Sequence, residues 1–424
     1  MAAVNPTDAA TVDSLVVVSP RGAAIDLTTS FSQMSIYESL FTPGIICEVE
    51  FLDDKDILGS AVISGDETVY IKMTQPMGST KYSTEFLLHL ENISDVTSVG
   101  SQKGKMYTLT AISIEVMFSK TNAVEKAYSD LCSNIVQDIH KNYLTAPSAT
   151  AKPIVVEQTR GVQDLLVAHE LPFQAVSMVR RRAASAENKS STYLYFENRD
   201  TNSGKQQFNF VTFEHLFKKD VVSSYKQTDA INISAEYALL NNYSNILSYK
   251  VSDQFSTGLK VILGGRREVV TFNSSTLRYE SKIIDTDTNN YVSAGSNSLT
   301  SKSFIDKFLR SPSPPRTQVL NDISQRASTY IAESIADRQA YYAMILQNSL
   351  KVTVAGNCKL TAGAMVNASI PNKQAFTDSS RDDKLLTGKF LITRIRHRFG
   401  NFQDTPRYTC VVELVKGKYQ EDKP

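Results

Sequence analysis

The chain has 424 residues, and 42% of them are apolar, which is enough for sizeable hydrophobic cores and too many for a disordered chain. Its length corresponds to about two to four domains of ordinary size. The 45 lysine and arginine residues balance the 44 aspartate and glutamate residues, so the chain as a whole has no field that would grip a nucleic-acid backbone or an anionic membrane.

The cysteines and the apolar segments indicate where the chain folds. Cys47, Cys132, Cys358 and Cys410 are far apart in the sequence, which argues against a disulfide scaffold or a zinc site and predicts buried thiols in a reducing cytosol. The sequence contains no apolar stretch of membrane-spanning length and no signal-peptide pattern at its start. We therefore expect a chain without a membrane anchor that folds where it is made.

The first part of the chain changes from a weakly patterned stretch to a period of two. Residues 1–24 predict a flexible arm. Residues 25–150 contain alternating apolar and polar positions, such as Val49 and Phe51 among acidic neighbours, which predicts short antiparallel strands of a barrel or sandwich. Apolar residues occupy odd positions up to Ala111 and even positions from Ile112 onward. A straight strand cannot keep both sets on one side, so we expect a bulge or a sharp bend near Ala111-Ile112.

A helical period follows within this unit. Val124, Leu131 and Ile135 fall on one face of a helix, and Asn122 with Glu125 has the spacing of a capping box. The pattern predicts that a helix closes the first β-rich unit.

The middle region, residues 151–315, begins with a second helix. Leu171-Pro172 predicts its start, because proline is favoured in the first turn of a helix. Arg180–Arg182 closes it, either as solvated charges that favour the helix dipole or as a contact with an acidic partner.

A hairpin and a polar segment complete the middle region. Thr192–Glu197 and Gln207–Phe213 alternate aromatic with other residues, which predicts two antiparallel strands joined by a turn at Arg199–Gly204. Residues 284–303 are rich in Asp, Thr, Asn and Ser and predict a long exposed loop.

The last region, residues 316–424, combines a helix with a second β-rich unit. Val319–Leu346 predicts a long amphipathic helix. The strands predicted after it are Lys351–Val354, Leu360–Val366, Leu386–Phe399 and Tyr408–Val415. The whole pattern predicts an α+β, mainly β fold in which two β-rich units flank a mixed α/β middle region.

Three arginines in the last region form a candidate interaction stripe. Leu391, Ile395 and Phe399 mark the buried side of one predicted strand, so Arg394, Arg396 and Arg398 project together from the other side. The three side chains form either an ordinary solvated strand face or a basic stripe at a subunit interface or a channel. Arginine suits the second role because its guanidinium group pairs with carboxylates in a bidentate manner.

The motifs of common enzymes are missing from the sequence. The five histidines show no metal-binding spacing, and no nucleophile elbow, phosphate loop or dinucleotide fingerprint occurs. We predict no catalytic residue, no metal site and no cofactor. A hydrolase that needs only two carboxylates meeting in space stays open at this point.

The C-terminal region resembles baseplate hub proteins of contractile-tailed, myovirus-type bacteriophages. The most specific segments are Leu360–Val366, Leu386–His397 and Tyr408–Val415. Pro172–Val176, with the hairpin that follows it, is similar to the helix and hairpin of such hubs, and Ile36–Phe41 resembles the opening of their first barrel. The resemblance covers about residues 25 to 420, and the polar segment 284–303 departs from it as an insertion.

The resemblance implies a homotrimer in which each chain contributes two tail-tube-like antiparallel β-barrels, within residues 25–150 and 316–424. Three chains would then form a pseudo-sixfold ring that adapts the hexameric tail tube to the trimeric central spike. The hub part of type VI secretion spike proteins is similar. The implied partners are the chain itself, the central spike protein, the tail tube protein and other baseplate (wedge) proteins, with DNA only as passing cargo. The implied location is the tail baseplate of the virion, after assembly in the host cytoplasm.

Two other functions stay open on the sequence. One is a tail-tube or secretion-tube component with the same barrel and no spike partner. The other is a cell-wall hydrolase associated with a hub, which would need an acid and base pair that the sequence does not reveal.

Overall fold

The computed structural model of the chain describes residues 10–53, 63–77, 80–98, 104–145, 151–188, 190–227, 244–251, 266–273, 278–285, 316–319, 338, 342, 345, 349–372, 382–383, 386–402 and 405–416. Within these residues the protein is mainly β. The strands are β1 Thr11–Val18, β2 Ala24–Asp26, β3 Phe31–Ser39, β4 Ile46–Asp53, β5 Thr68–Met77, β6 Thr80–Ser98, β7 Lys105–Ile112, β8 Val124–Leu131, β9 Ile154–Val156, β10 Val162–Glu170, β11 Tyr193–Arg199, β12 Gln206–Thr212, β13 Val221–Lys226, β14 Ile246–Val251, β15 Arg266–Asn273, β16 Arg278–Asp285, β17 Arg316–Val319, β18 Ser349–Ala355, β19 Met365–Ser369, β20 Gly388–Phe402 and β21 Thr405–Val415. The helices are α1 Ile114–Thr121, α2 Cys132–Tyr143, α3 Pro172–Arg182 and α4 Phe213–Phe217.

One large sheet joins the two ends of the chain. Its strand order is β14-β18-β21-β20-β3-β4-β7-β6-β5-β1-β2, with β19 beside the first residues of β20 and β13 beside β19. Strands β3 and β20 pair antiparallel from Arg394 opposite Ser39 to Gly400 opposite Gln33, and this pairing connects the N-terminal strands with the C-terminal ones. Among the described residues this strand order does not close into a barrel. The mainly β class is therefore confirmed, and the two barrels remain a prediction.

The period of two in the sequence produces the core of this sheet. Val49 and Phe51 of β4 and Met34 and Ile36 of β3 are fully buried, because alternate side chains of a strand point to the same face. Leu15 of β1 is buried with them and pairs opposite Ile71 of β5. The prediction of a flexible arm is therefore wrong for residues 11–18, whose short alternating run was too weak a signal against its polar surroundings.

At the predicted bulge or bend near Ala111-Ile112, the pairing of β7 with β6 shifts register between Leu90, opposite Ala111, and Asn92. Strand β7 ends at Ile112, and α1 begins at Ile114. Ser113 between them is buried, and its hydroxyl accepts a 2.8 Å hydrogen bond from the backbone N–H of Ile45. The chain thus turns away from the sheet at this residue.

The helix predicted from Val124 onward is wrong in its first half. Residues Val124–Leu131 form β8, which pairs antiparallel with β10, and α2 begins only at Cys132. Val124 and Tyr128 are the buried residues of β8. Their separation of four positions is even, so it fits one face of a strand as well as one turn of a helix.

The middle region contains the predicted helix and hairpin. Helix α3 begins at Pro172, and β11 and β12 pair antiparallel in one register along their whole length. The rings of Tyr193 and Phe210 stack with centroids 4.6 Å apart across this pair. The predicted turn is shorter than expected, because Arg199 still belongs to β11 and is buried.

The predictions for the last third of the chain have mixed outcomes. The strands β18, β20 and β21 are confirmed, whereas only Met365 and Val366 of the predicted Leu360–Val366 segment belong to a strand, β19. Residues 284 and 285 end β16, and the rest of the 284–303 segment lies outside the described residues. The predicted helix Val319–Leu346 also lies outside them, apart from its first residue, which ends β17, and three single helical positions. None of the helices that the structure describes combines the length and apolar composition required to cross a membrane.

Candidate functional site

The three arginines singled out in the sequence lie on one face of β20. Arg394 is exposed and Arg396 and Arg398 are half-buried, while the residues that alternate with them, Ile395 and His397, are buried. The register of β20 against β21 shifts between Ile392 and Arg394, and from Arg394 onward exposed or half-buried residues alternate with buried ones. The prediction that the three side chains project together is therefore confirmed. Their role at an interface or a channel stays a prediction.

Each of these arginines donates to a partner within the chain. Arg394 donates to the carboxylate of Glu413 on β21 over 3.1 Å. Arg396 donates to the hydroxyl of Ser35 on β3 over 3.0 Å, and Arg398 donates to the side-chain carbonyl of Gln33 over 2.9 Å. These hydrogen bonds restrict the arginine side chains, so a partner that contacts them would cost less side-chain entropy on binding.

The face continues from the arginines to an acidic strand. Ser35 and Gln33 of β3 lie opposite Glu48 and Glu50 of β4. Glu48 is exposed and accepts a 2.7 Å hydrogen bond from the hydroxyl of Tyr37, and the ring of Tyr37 lies under the guanidinium group of Arg396. A basic stripe on β20 and an acidic stripe on β4 are therefore separated by two strand spacings, about 10 Å. We call this surface, from Glu413 to Glu50, the charged face.

A buried ion pair lies on the opposite side of the same strands. Arg199 and Glu38 are each 1% exposed. Arg199 donates from Nε to Glu38 over 2.7 Å, and its other nitrogens donate to the backbone carbonyls of Cys358 and Leu360 over 3.0 and 2.6 Å. Burial alone would lower the pKa of Arg199, but Glu38 and other neighbours raise it above its ordinary value. The pair is charged, and its hydrogen bonds offset the cost of removing it from water.

His397 completes this network as a neutral base. Its Nε2 lies 2.8 Å from Arg199, which can only donate, so Nε2 accepts and the ring proton is on Nδ1, 2.8 Å from the hydroxyl of Tyr408. Burial, and then the charge of Arg199, holds the pKa of His397 well below its ordinary value. His397 is fully buried, so no substrate can reach it from solvent. Its role is structural, because it links the strands.

A second buried cluster ties α1 to the hairpin. Lys152 donates to Glu115 over 2.8 Å and to Glu197 over 2.7 Å, and both carboxylates are buried. Glu197 also accepts from Gln206 over 2.9 Å and from the hydroxyl of Ser113. Burial raises the pKa of Glu115, against the lowering effect of Lys152.

Sequence patterns did not reveal either cluster. Arg199 was placed in a turn and Lys152 was not singled out, because a single charged residue carries no periodic signal. The alternation of β3 offered one hint, since Glu38 occupies the core phase set by Met34 and Ile36.

The remaining reactive groups of the described residues are inert in their surroundings. The four cysteines are free and buried, which confirms that part of the prediction. Burial raises the pKa of Cys132 and of Cys410 to about 12, so both thiols are protonated at neutral pH and are poor nucleophiles. No group of three metal-ligating side chains occurs among the residues that the structure describes.

Comparisons with known proteins agree at the level of the fold. No protein-family model matches the chain, and no curated protein matches its sequence. The tail protein from Neisseria meningitidis MC58 superposes with a TM-score of 0.57 at 10% identity, over 95% of this chain and 96% of that chain. The 43 kDa tail protein of prophage MuSo2 from Shewanella oneidensis superposes with a TM-score of 0.53 at 11% identity, over 95% of this chain and 98% of that one.

The fold of the chain is therefore similar to that of these two tail proteins. The similarity covers nearly the whole length of this chain and of both tail proteins. A chain of a Francisella PdpA-VgrG complex gives a TM-score of 0.46 at 10% identity, over 98% of this chain and 60% of that one. The predicted resemblance to phage tail proteins thus holds for the fold.

Proposed function

We propose that the chain is a structural hub subunit in the baseplate of a contractile phage tail. In this proposal three copies form a ring that adapts the hexameric tail tube to the trimeric central spike, and the lumen of the ring is part of the DNA ejection conduit. The observation that carries the proposal is the full-length fold similarity to two tail proteins, one of them from a prophage. The C-terminal sequence segments that resemble hub proteins support it independently.

The charged face supplies a physical basis for assembly. A ring of identical subunits repeats one contact between two different patches, or one self-complementary patch, on every copy. The basic stripe around Arg396 and the acidic stripe around Glu48 are complementary in charge, and both are accessible. Arg394, Arg396 and Arg398 would meet carboxylates of a neighbouring copy or line the lumen. Bidentate pairing of arginine with carboxylates would fix the register of the contact.

The β-rich regions would act as the two tube-like units. We propose that residues 25–150 and 316–424 each present a tube-like edge, so that a trimer offers six similar edges to a hexameric tube. The middle region, residues 151–315, would then separate the units and contact the spike or the wedge proteins. The protein would be a non-catalytic component of the virion tail, assembled in the host cytoplasm, with DNA only as passing cargo.

The two alternatives differ from this proposal in what they bind and do. A tail-tube or secretion-tube component would assemble with a tube and ignore the spike. A hub-associated cell-wall hydrolase would cleave cell-wall polymers. No observation on the described residues favours either over the hub.

The deciding measurement is the mass of the purified protein in solution by light scattering, alone and mixed with its candidate spike. We expect a trimer that forms either alone or with the spike. Binding to the tube without binding to the spike would support the tube component instead. A stable monomer that binds neither would refute the hub, and an assay on cell-wall polymers would then test the hydrolase.

A further inference from the structure

The two strands β8 and β10 form a ribbon with one covered face and one open face. Leu165 and Val167 of β10 are buried in one cluster with Tyr128 of β8 and with residues of α2 and α3, so the helices cover the inner face. Leu166 of β10 is 69% exposed, and Val162 is 38% exposed. Alternate residues of a strand point to opposite faces, so these two side chains mark an outer face that is open to solvent.

The outer face carries two carboxylates and no counter-charge from its own strands. Asp164 of β10 accepts a 2.6 Å hydrogen bond from the hydroxyl of Ser129, and Glu125 of β8 is exposed on the same face. Lys126 is the only lysine or arginine in the two strands, and it points to the inner side, where it pairs with Asp138 of α2 over 2.9 Å. The open face is therefore acidic as well as apolar.

The edge of β10 that faces away from β8 is also open. Among the strands that the structure describes, β10 pairs with β8 alone. In an antiparallel pair, about half of the backbone N–H and C=O groups of each strand point away from the partner strand. Natural proteins often protect such an edge with lysine or proline, and β10 contains neither over its nine residues. The backbone of β10 can therefore accept a further strand.

The side chains on the outer face define what a further strand should carry. Side chains directly opposite each other on adjacent strands lie about 4.5–5.5 Å apart, where apolar pairs and pairs of opposite charge are stabilising. Val162, Asp164 and Leu166 follow one another on this face at every second position. A strand beside β10 matches them with an apolar residue, a basic residue and an apolar residue, also at alternate positions.

We propose that β10 binds a strand of a partner protein in which a lysine or arginine lies between two apolar residues at alternate positions. The backbone of this strand extends the ribbon by strand addition, its cation pairs with Asp164, and its apolar residues contact Val162 and Leu166. A second copy of β10 does not fit this description, because it would bring no lysine or arginine to Asp164. The proposal goes beyond the hub assembly and does not depend on it.

Fluorescence anisotropy of the purified full chain with two labelled peptides tests the proposal. One peptide is fluorescein-Thr-Val-Thr-Lys-Thr-Val-Thr, and the other has glutamate in place of lysine. We expect the lysine peptide to bind about fivefold more tightly, because opposite charges on adjacent strands stabilise the pair and like charges destabilise it. Hydrogen exchange should slow at residues 162–168 when the lysine peptide binds, as strand addition to this edge requires.

Two variants identify the side chains involved. Asp164→Lys should reverse the preference, so that the glutamate peptide binds more tightly. Leu166→Thr should weaken the lysine peptide about threefold. Leu87→Thr is the matched control, because Leu87 is a 53% exposed leucine on β6, outside the ribbon, and its loss should leave binding unchanged. All three variants replace exposed residues and should keep their melting temperature.

Three results would overturn the proposal. The first is equal binding of the two peptides, or binding of neither, by the unchanged chain. The second is an Asp164→Lys variant that still prefers the lysine peptide. The third is a loss of self-association by Leu166→Thr in light scattering, since a second copy of the chain would then occupy this face.

Discussion

Arg199 and Glu38 are 161 positions apart in the chain, and their buried side chains meet through a hydrogen bond of 2.7 Å. Arg199 ends a strand of the middle region, whereas Glu38 lies on β3 in the large sheet. The same guanidinium group also holds the backbone at Leu360, ahead of β19. One side chain thus joins the N-terminal, middle and C-terminal regions, and this relationship gives the first prediction.

Removal of the Arg199 side chain should destabilise the protein strongly. Arg199→Met leaves Glu38 buried without its counter-charge, which typically costs about 3–5 kcal/mol. Denaturant unfolding followed by fluorescence would measure the loss. Arg394→Met is the matched control, because the pair of Arg394 with Glu413 is exposed and should contribute less than about 1 kcal/mol. Similar losses in the two variants would contradict this account of Arg199.

His397 should make the protein less stable in mild acid. Its folded pKa is lowered by burial and by Arg199, so below about pH 6.5 the unfolded chain binds a proton that the folded chain does not. The unfolding free energy therefore falls as the pH falls, by about 1.4 kcal/mol per pH unit from this group, and the contribution is constant above that pH.

His397→Gln isolates this effect. Glutamine can accept from Arg199 and donate to Tyr408, but it does not titrate. The stability difference between the original chain and the variant should shrink from pH 7 to pH 5, measured by denaturant unfolding at each pH. If the unfolding free energies of the two chains change in parallel from pH 7 to pH 5, His397 takes up a proton in the folded state as readily as in the unfolded state, and this account of His397 is wrong.

Lys152 should stabilise two buried carboxylates at neutral pH. Lys152→Met leaves Glu115 and Glu197 together without a cation, so we expect a loss of about 3–5 kcal/mol at pH 7. Burial already raises the pKa of Glu115 and Lys152 opposes this, so without Lys152 the variant should recover stability as the pH falls. Lys126→Met, which removes a more exposed pair with Asp138, should show neither effect when melting is followed at pH 7 and pH 5.

Gly356 should not tolerate a side chain. A Cβ atom at this position would lie 2.0 Å from Cδ1 of Tyr408, which is buried and cannot move aside freely. Gly356→Ala should therefore cost about 1–3 kcal/mol. Gly400→Ala is the comparison, because its nearest neighbour would be 3.5 Å away, an ordinary contact. A melting temperature of Gly356→Ala as high as that of Gly400→Ala would refute the steric argument.

The charged face should control assembly rather than folding. The triple variant Arg394→Gln, Arg396→Gln, Arg398→Gln removes the basic stripe and should lose the trimer in light scattering while its melting temperature changes little. The control triple Lys72→Gln, Lys120→Gln, Lys126→Gln removes the same charge from other exposed ion pairs and should still form a trimer. A trimer in both variants would exclude the stripe from the interface.

Local patterns were sufficient for elements whose partners are near in the sequence. Helix α3 and the β11–β12 hairpin followed from a proline at a helix start and from aromatic alternation across a short turn. Strand β8 was mistaken for a helix because Val124 and Leu131 share a helical spacing with Ile135 of α2, whereas the buried residues of the strand are Val124 and Tyr128. Its pairing with β10, which decides the matter, is not visible in the residues of β8 alone.

The candidate site was predictable only in part. The alternation of β20 was enough to place Arg394, Arg396 and Arg398 on one face. Their neighbours Ser35 and Gln33 lie more than 350 residues away in the chain, and no periodic signal reports a pairing at that distance. The buried pair of Arg199 with Glu38 was hidden for the same reason, since charge alone suggests an exposed residue.

The pairing of β3 with β20 sets an order of events during synthesis. Arg396 donates to a residue 361 positions before it, so β3 leaves the ribosome long before its neighbour exists. A nascent or truncated chain that ends before residue 388 carries an open strand edge beside β3 and lacks the centre of its sheet. Only a completed chain can therefore present the charged face, so unfinished products are excluded from any assembly that uses it.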